Sequence, residues 1–187
     1  MPNSYAELVA RIRIPAGFAL AAVYLVFARP TPWSLGCGAA LSLLGLGLRA
    51  WSSGYIEKNQ KLSTAGPYAH TRNPLYLGSA IAGAGYAIAG GQWWFFPLLA
   101  LFLLAVYGPV IRREEAHLRR LFPEDYPAYA QAVPAFWFRL RAWRPPEHSA
   151  AQFRWRRYWH NREYEALLAY LALLTVLLVK IGVTRAY

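Results

Sequence analysis

Polar and apolar residues fall into long blocks along the chain rather than into short alternations. Five apolar stretches stand out: Ile14 to Ala28, Trp33 to Leu48, Leu75 to Gly91, Trp93 to Ile111, and Ala166 to Val183. A helix crossing a bilayer needs about 20 predominantly apolar residues. The fourth and fifth stretches meet that directly. Residues Leu8 to Arg13 extend the first, with Arg11 and Arg13 reaching toward headgroups. Five such runs in one soluble domain would leave little polar face for water. The pattern therefore predicts an all-α fold: a polytopic membrane helix bundle of about five transmembrane helices. A cytoplasmic amphipathic helical segment follows the fourth, and residues 1–187 form one membrane domain.

Charge supports the same reading. Of the 187 residues, 57% are hydrophobic and only 16% charged. An intrinsically disordered chain is excluded, because disorder needs low hydrophobicity. Cys37 is the only cysteine, so no intrachain disulfide is available. The four histidines and Cys37 show no zinc-ligand spacing, and no metal site is expected. The net charge is +11. With a cytoplasmic N-terminus and five spans, 17 of the 20 Lys and Arg face the cytoplasm, Lys58 among them. Arg29, Lys180 and Arg185 face the other side. That asymmetry follows the positive-inside tendency, and no nucleic-acid reading motif accompanies the charge. A bilayer is the expected partner, and nucleic acid is not. No secretory signal peptide is evident, since the first stretch lacks a convincing cleavage site.

Small residues mark where helices approach. The second stretch carries Gly36, Gly38, Gly45 and Gly47; the third carries Gly78, Ala82, Gly83, Gly85 and Ala89. Small side chains let backbones pack closely in lipid. Gly83 and Gly85 flank Ala84 within one helix, where each costs about 1 kcal/mol relative to alanine. Close approach of another backbone or of a ligand is the expected return. The third and fourth stretches are joined only by Gly90, Gly91 and Gln92. They must form a tight antiparallel hairpin, which brings Gly66–Tyr76 near Arg112–Glu115 at one membrane face.

Those two segments hold the candidate chemistry. The first reads Gly66-Pro67-Tyr68-Ala69-His70-Thr71-Arg72-Asn73-Pro74-Leu75-Tyr76-Leu77-Gly78. Gly66-Pro67 signals a turn, Pro74 suits the first position of a helix, and Asn73 falls at its N-cap. Capping accounts for Asn73 and Pro74 but not for Arg72, His70, Tyr68 and Tyr76 beside them. A capped helix start next to Arg also suits a carboxylate. The second segment reads Arg112-Arg113-Glu114-Glu115. Adjacent carboxylates at the exit of an apolar helix need partners. Either the neighbouring arginines neutralise them, or one glutamate holds an amine or hydroxyls of a cofactor.

Taken in order, these motifs resemble the isoprenylcysteine carboxyl methyltransferase and phospholipid methyltransferase superfamily of membrane enzymes. Its pattern is Gly-Pro-Tyr, then Arg-His-Pro-x-Tyr-x-Gly, then Gly-x-Gly, then Glu-Glu. Here those read Gly66-Pro67-Tyr68, Arg72-Asn73-Pro74-Leu75-Tyr76-Leu77-Gly78, Gly83-Ala84-Gly85 and Glu114-Glu115. Arg49-Ala50-Trp51 lies upstream. Phe122, Tyr126, Tyr129 and Val133-Pro134 follow downstream, like the family tail. The resemblance implies a catalytic core of about residues 35–140. It implies S-adenosylmethionine as cofactor and a lipophilic acceptor, such as a prenylcysteine carboxylate or a phospholipid amine, at the cytoplasmic face. Carried over, Tyr68, His70, Asn73, Tyr76, Gly78, Gly83, Gly85, Glu114 and Glu115 would bind the cofactor. Arg72, Asn73 and Glu115 would be the catalytic set. A bacterial or archaeal inner membrane is the expected setting.

The sequence departs from the pattern at three points. Asn73 replaces His, Pro123 replaces Gly after Phe122, and Ala135 stands where a basic residue is common. Asn cannot titrate, so a general base at position 73 is unsupported. That favours an acceptor that arrives already nucleophilic. Residues 141–187 form an interfacial segment and a fifth span. Phe153 to His160 alternates aromatic and basic residues, as suits anionic headgroups. His117, His148 and His160 read as polar surface residues, and Cys37 as a packing residue. Two other functions compete: a nicotinamide-dependent membrane reductase of sterol type, and a non-enzymatic lipid-binding protein.

Overall fold

The computed structural model describes residues 5–57, 60–144 and 152–186. Lys58 and His148 lie outside the described residues, as do the side chains of Arg11, Arg13 and Arg185. The described residues are helical with no strand. The helices are α1 (Tyr5–Phe27), α2 (Pro32–Ser53), α3 (Pro74–Ala89), α4 (Phe95–Phe102), α5 (Gly108–Leu121), α6 (Asp125–Ala132), α7 (Trp155–His160) and α8 (Tyr164–Ala186).

All five apolar stretches are helical. Among the described residues, three helical segments are long and apolar enough to cross a membrane: Pro32–Ser53, Phe95–Leu121 and Tyr164–Thr184. Two are shorter, Pro15–Phe27 and Pro74–Ala89. The 16 residues of α3 reach about 24 Å at 1.5 Å per residue. That is less than the roughly 30 Å apolar thickness of a bilayer. The fourth segment runs from α4 into α5 through a π turn at Leu103–Tyr107. Gly108 N–H donates to the Leu103 carbonyl, five residues back. Pro109 has no amide hydrogen to offer, and the wider turn carries the helix past it. The helix then continues through Glu114 and Glu115 to Leu121, beyond the apolar limit at Ile111.

The chain divides into two compact units. One comprises Met1–Leu43, Ile81–Arg113 and Ala169–Tyr187. Its core holds Tyr24, Ala28, Leu35, Ala87, Ala89, Phe95 and Leu177. Here α2 and α3 lie backbone against backbone. A Cβ at Gly85 would come within 2.5 Å of the Ser42 nitrogen and 2.6 Å of the Gly38 oxygen. One at Gly38 would meet the Ala89 nitrogen and Gly85 oxygen, both at 2.4 Å. Ser42 Oγ donates to the Ala82 carbonyl at 3.1 Å. The α3–α4 connection turns on Gly91, with φ +68°. Lys180 donates to the Leu25 and Ala28 carbonyls, at 2.6 and 2.9 Å. A cation at the α1 C-terminus satisfies carbonyls that have no partner within the helix.

The other unit comprises Leu44–Ala80 and Glu114–Leu168. Its core gathers Leu62, Tyr126, Tyr129 and Val133, with Leu118, Phe122 and Trp143 packed against them. Gly78 of α3 lies against α2, its Cβ position 2.7 Å from the Gly45 oxygen and 2.8 Å from Arg49 Cγ.

The close α2–α3 packing is testable at Gly85. A β-branched side chain there meets backbone, and overpacking of this kind costs about 1–3 kcal/mol. Gly85→Val is expected to lower the thermal unfolding midpoint in detergent. At Gly47 a Cβ meets nothing within 4 Å, and Gly47→Ala is expected to hold or raise that midpoint. Equal midpoints for Gly85→Val and wild type would contradict the packing.

Candidate functional site

The expected meeting of the two motifs occurs within the second unit. The first runs through a 3₁₀ turn at Gly66–Ala69 into the start of α3. Gly66 has φ +58°, a left-handed conformation that glycine adopts without strain. Asn73 takes the N-cap position, its carbonyl accepting the Leu77 N–H at 3.0 Å. Helix α5 brings Glu114 and Glu115 alongside. Tyr76 OH donates to Glu114 Oε1 at 2.8 Å. Arg72 Nη2 lies 3.3 Å from Glu115 Oε1.

A second framework holds these side chains from behind. After α6 the chain runs back along residues 134–143 and presents carbonyls to the first motif. Arg72 N–H donates to the Pro134 carbonyl at 2.9 Å. Asn73 Nδ2 donates to the Ala135 carbonyl at 2.8 Å. Arg139 N–H returns a bond to the His70 carbonyl at 3.0 Å, and Trp143 N–H to that of Ala69 at 2.9 Å. His70 Nδ1 lies 2.7 Å from the Arg139 carbonyl. A carbonyl can only accept, so Nδ1 carries the hydrogen and Nε2 holds the lone pair of the neutral ring. The ring stacks on Phe138, with centroids 4.6 Å apart and planes 1° from parallel.

Helix α6 supplies two tyrosines to the same framework. Tyr129 OH donates to the Tyr68 carbonyl at 2.8 Å. Arg72 Nη1 donates to Tyr126 OH at 3.4 Å. Burial raises the pKa of all three tyrosines. For Tyr68 the next causes are Tyr129, Glu114 and Glu163, with Arg49 opposing. For Tyr126, Glu115 adds to the rise while Arg72 and Arg119 oppose it. The three phenols therefore stay protonated at neutral pH.

Arg72 and Glu115 are mostly buried, with 14% and 24% of their side chains exposed. Two of their atoms are enclosed without a hydrogen bond: Arg72 Nε and Glu115 Oε1. The oxygen feels the guanidinium charge but receives no hydrogen in bonding geometry. A buried donor and a buried acceptor thus sit side by side, and each unmet group costs about 1–3 kcal/mol or more.

The structure thus brings Tyr68, His70, Arg72, Asn73, Tyr76, Gly78, Glu114 and Glu115 into one unit. Gly83 and Gly85 fall in the other, and their Cβ directions face protein: Leu99 for Gly83, Ser42 and Gly38 for Gly85. Sequence reasoning gave no site role to Arg49, Glu163, Arg139 or the carbonyls of Pro134 and Ala135. Arg49 and Val133-Pro134 were visible as motif pieces. Glu163 carried no local signal. Among the described residues, no group of three or more His, Cys, Asp or Glu could hold a metal ion.

The chain is similar to the cobalt-zinc-cadmium resistance protein CzcN of Cupriavidus metallidurans, 36% identical over 110 residues. That stretch is 56% of this chain and 50% of the relative. It is also similar to the nickel-cobalt-cadmium resistance protein NccN of Alcaligenes xylosoxydans xylosoxydans, 35% identical over 109 residues. There the match covers 57% of this chain and 49% of the relative. The match thus spans about half the length of these curated relatives. No solved structure matches the chain. The model of the phospholipid methyltransferase family matches residues 16–125, which include the first motif and both glutamates. With more than half of its length so matched, the chain belongs to the phospholipid methyltransferase family, within the membrane methyltransferase superfamily that its motifs resemble.

Proposed function

We propose that this protein is an S-adenosylmethionine-dependent methyltransferase of the membrane, acting on a lipophilic acceptor at the cytoplasmic face. The observation that carries the cofactor is the enclosed pair without hydrogen bonds, Arg72 Nε and Glu115 Oε1. An amino-acid zwitterion offers a carboxylate to the first and an ammonium to the second. Charge-assisted bonds of that kind are stronger than neutral ones. Family membership supports the same chemistry.

When bound, the cofactor would supply an electrophilic methyl group for transfer to the acceptor. The protein's part is placement. Arg72 and Glu115 grip the amino-acid end. Tyr76 holds Glu114 on the opposite helix, and Tyr68, His70, Asn73 and Gly78 form the surrounding wall. Gly83 and Gly85 contribute by letting α3 approach its neighbours. Alignment of the reactants and exclusion of water then supply the acceleration. Asn73 donates to Ala135 and cannot take a proton, so it shapes the wall. An acceptor that arrives as a nucleophile, such as a prenylcysteine carboxylate, fits this site without a base. A phospholipid amine must lose its proton first.

The excess of positive charge in the segments around α3, α5 and α7 supports a cytoplasmic N-terminus in an inner membrane. The relatives' names concern resistance to divalent metals.

Two outcomes are expected. Calorimetric titration of detergent-purified protein with S-adenosylmethionine should saturate. Glu115→Gln should weaken that binding by about tenfold or more, since a charged bond is lost. Binding of reduced nicotinamide dinucleotide phosphate alone would instead identify a reductase. Binding of neither, with activity untouched by Arg72→Lys, would leave a lipid-binding protein. Separately, Asn73→Asp would set a carboxylate against the Ala135 carbonyl in a buried place. Two facing acceptors should cost about 1–3 kcal/mol, read as a lower unfolding midpoint without cofactor.

A further inference from the structure

The segment that leads into α8 lies past the family match, yet it is bound to the end of α2. Asn161 Nδ2 donates to the Ser53 carbonyl at 3.1 Å. The Gly54 carbonyl accepts from Arg154 N–H at 3.0 Å and from Arg157 Nη1 at 3.2 Å. Arg157 also pairs with Glu57. These groups satisfy the C-terminal carbonyls of α2, which helix geometry leaves open. The segment is therefore fixed to the unit that holds the candidate site.

It delivers one buried carboxylate. Glu163 receives Arg49 Nε on Oε2 at 3.1 Å and Arg49 Nη2 on Oε1 at 2.9 Å. This is a two-pronged guanidinium–carboxylate pair, with 24% of the Arg49 side chain and 10% of the Glu163 side chain exposed. The remaining prong, Nη1, reaches Ser79 Oγ and the Leu75 carbonyl of α3. Leu75 and Ser79 bracket Tyr76, the residue that meets Glu114. Gly78, between them, lies directly on the Arg49 stem. Arg162, just before Glu163, has φ +56°. That left-handed conformation is uncommon outside glycine and persists where surrounding structure enforces it.

We propose that Glu163 is a positioning residue of the candidate site: it locks Arg49 onto the first turn of α3 and so sets Tyr76 against Glu114. The proposal rests on the adenosylmethionine reading for its effect on binding, but not for the lock itself. Charge, more than shape, does the holding. A carboxylate accepts both prongs of the fork, whereas an amide of the same size can accept on its oxygen only. Arg49 would then keep a buried charge without its counterion, which is strongly unfavourable.

The test uses the full-length protein in detergent, as wild type, Glu163→Gln and Glu163→Asp. Calorimetry measures S-adenosylmethionine binding, and hydrogen exchange of residues 74–80 is followed without cofactor. Glu163→Gln is expected to weaken binding by about tenfold and to speed exchange in the first turn of α3. Glu163→Asp, which keeps the charge but shortens the side chain, should restore most of both. A purely space-filling role would reverse that order, with Gln tolerated and Asp not. That order, or wild-type exchange in Glu163→Gln, would overturn the proposal. If wild type binds no S-adenosylmethionine while exchange still responds as expected, the lock stands and the cofactor reading fails.

Discussion

Two arginines beside the start of α3, Arg49 of α2 and Arg72, are withdrawn from water, and the candidate site is arranged around keeping them paired. An ionised group taken into a poorly solvated place is tolerated only with a counterion and hydrogen bonds. Arg72 meets this demand with Glu115 of α5 and Tyr126 of α6. Arg49 meets it with Glu163, Ser79 and the Leu75 carbonyl. Each arginine therefore recruits a segment remote in sequence. Of the two, only the Arg72 pair keeps an enclosed donor and acceptor without a hydrogen bond. That difference distinguishes the two pairs: the bonds around Arg49 are complete, and those around Arg72 are not.

The carbonyl-bearing chain at residues 134–143 gives the first motif its rigidity. Arg72, Asn73, His70 and Ala69 all bond to this chain, through backbone or side chain. Its Trp143 packs in turn on the buried tyrosines of α6, so the site rests on an aromatic core. This explains how Asn can stand where the superfamily has His. The position needs a donor for the Ala135 carbonyl, and an amide supplies one.

Much of this was legible in the sequence where the signal is local or covalent. The apolar blocks gave the helices, and the three-residue link after α3 placed Tyr76 near Glu114. Capping chemistry identified Pro74 as the first residue of α3. Gly38, Gly78 and Gly85 do lie where helices approach closely, whereas a Cβ at Gly36 or Gly47 would meet nothing within 4 Å. At Gly85 the approaching group on the Cβ side is α2, a choice that spacing leaves open. The π turn went unread because one proline in an apolar run does not say how the helix will pass it. Glu163 went unread because its partner is 114 residues away in sequence. A lone Glu before an apolar helix looks like any first-turn acid.

The charge pattern around the start of α3 also bears on which end of a substrate it suits. The first turn of a helix presents unpaired N–H groups and a partial positive charge. Arg72 stands just before that turn, and Glu114 and Glu115 come alongside it from α5. Glu115 is matched by Arg72, whereas Glu114 is held by the neutral hydroxyl of Tyr76. Among these four residues the sum is one negative charge. A cation is therefore favoured beside Glu114, while the carboxylate of an amino acid is favoured beside Arg72 and the helix start. A molecule carrying a sulfonium, an ammonium and a carboxylate satisfies both preferences at once.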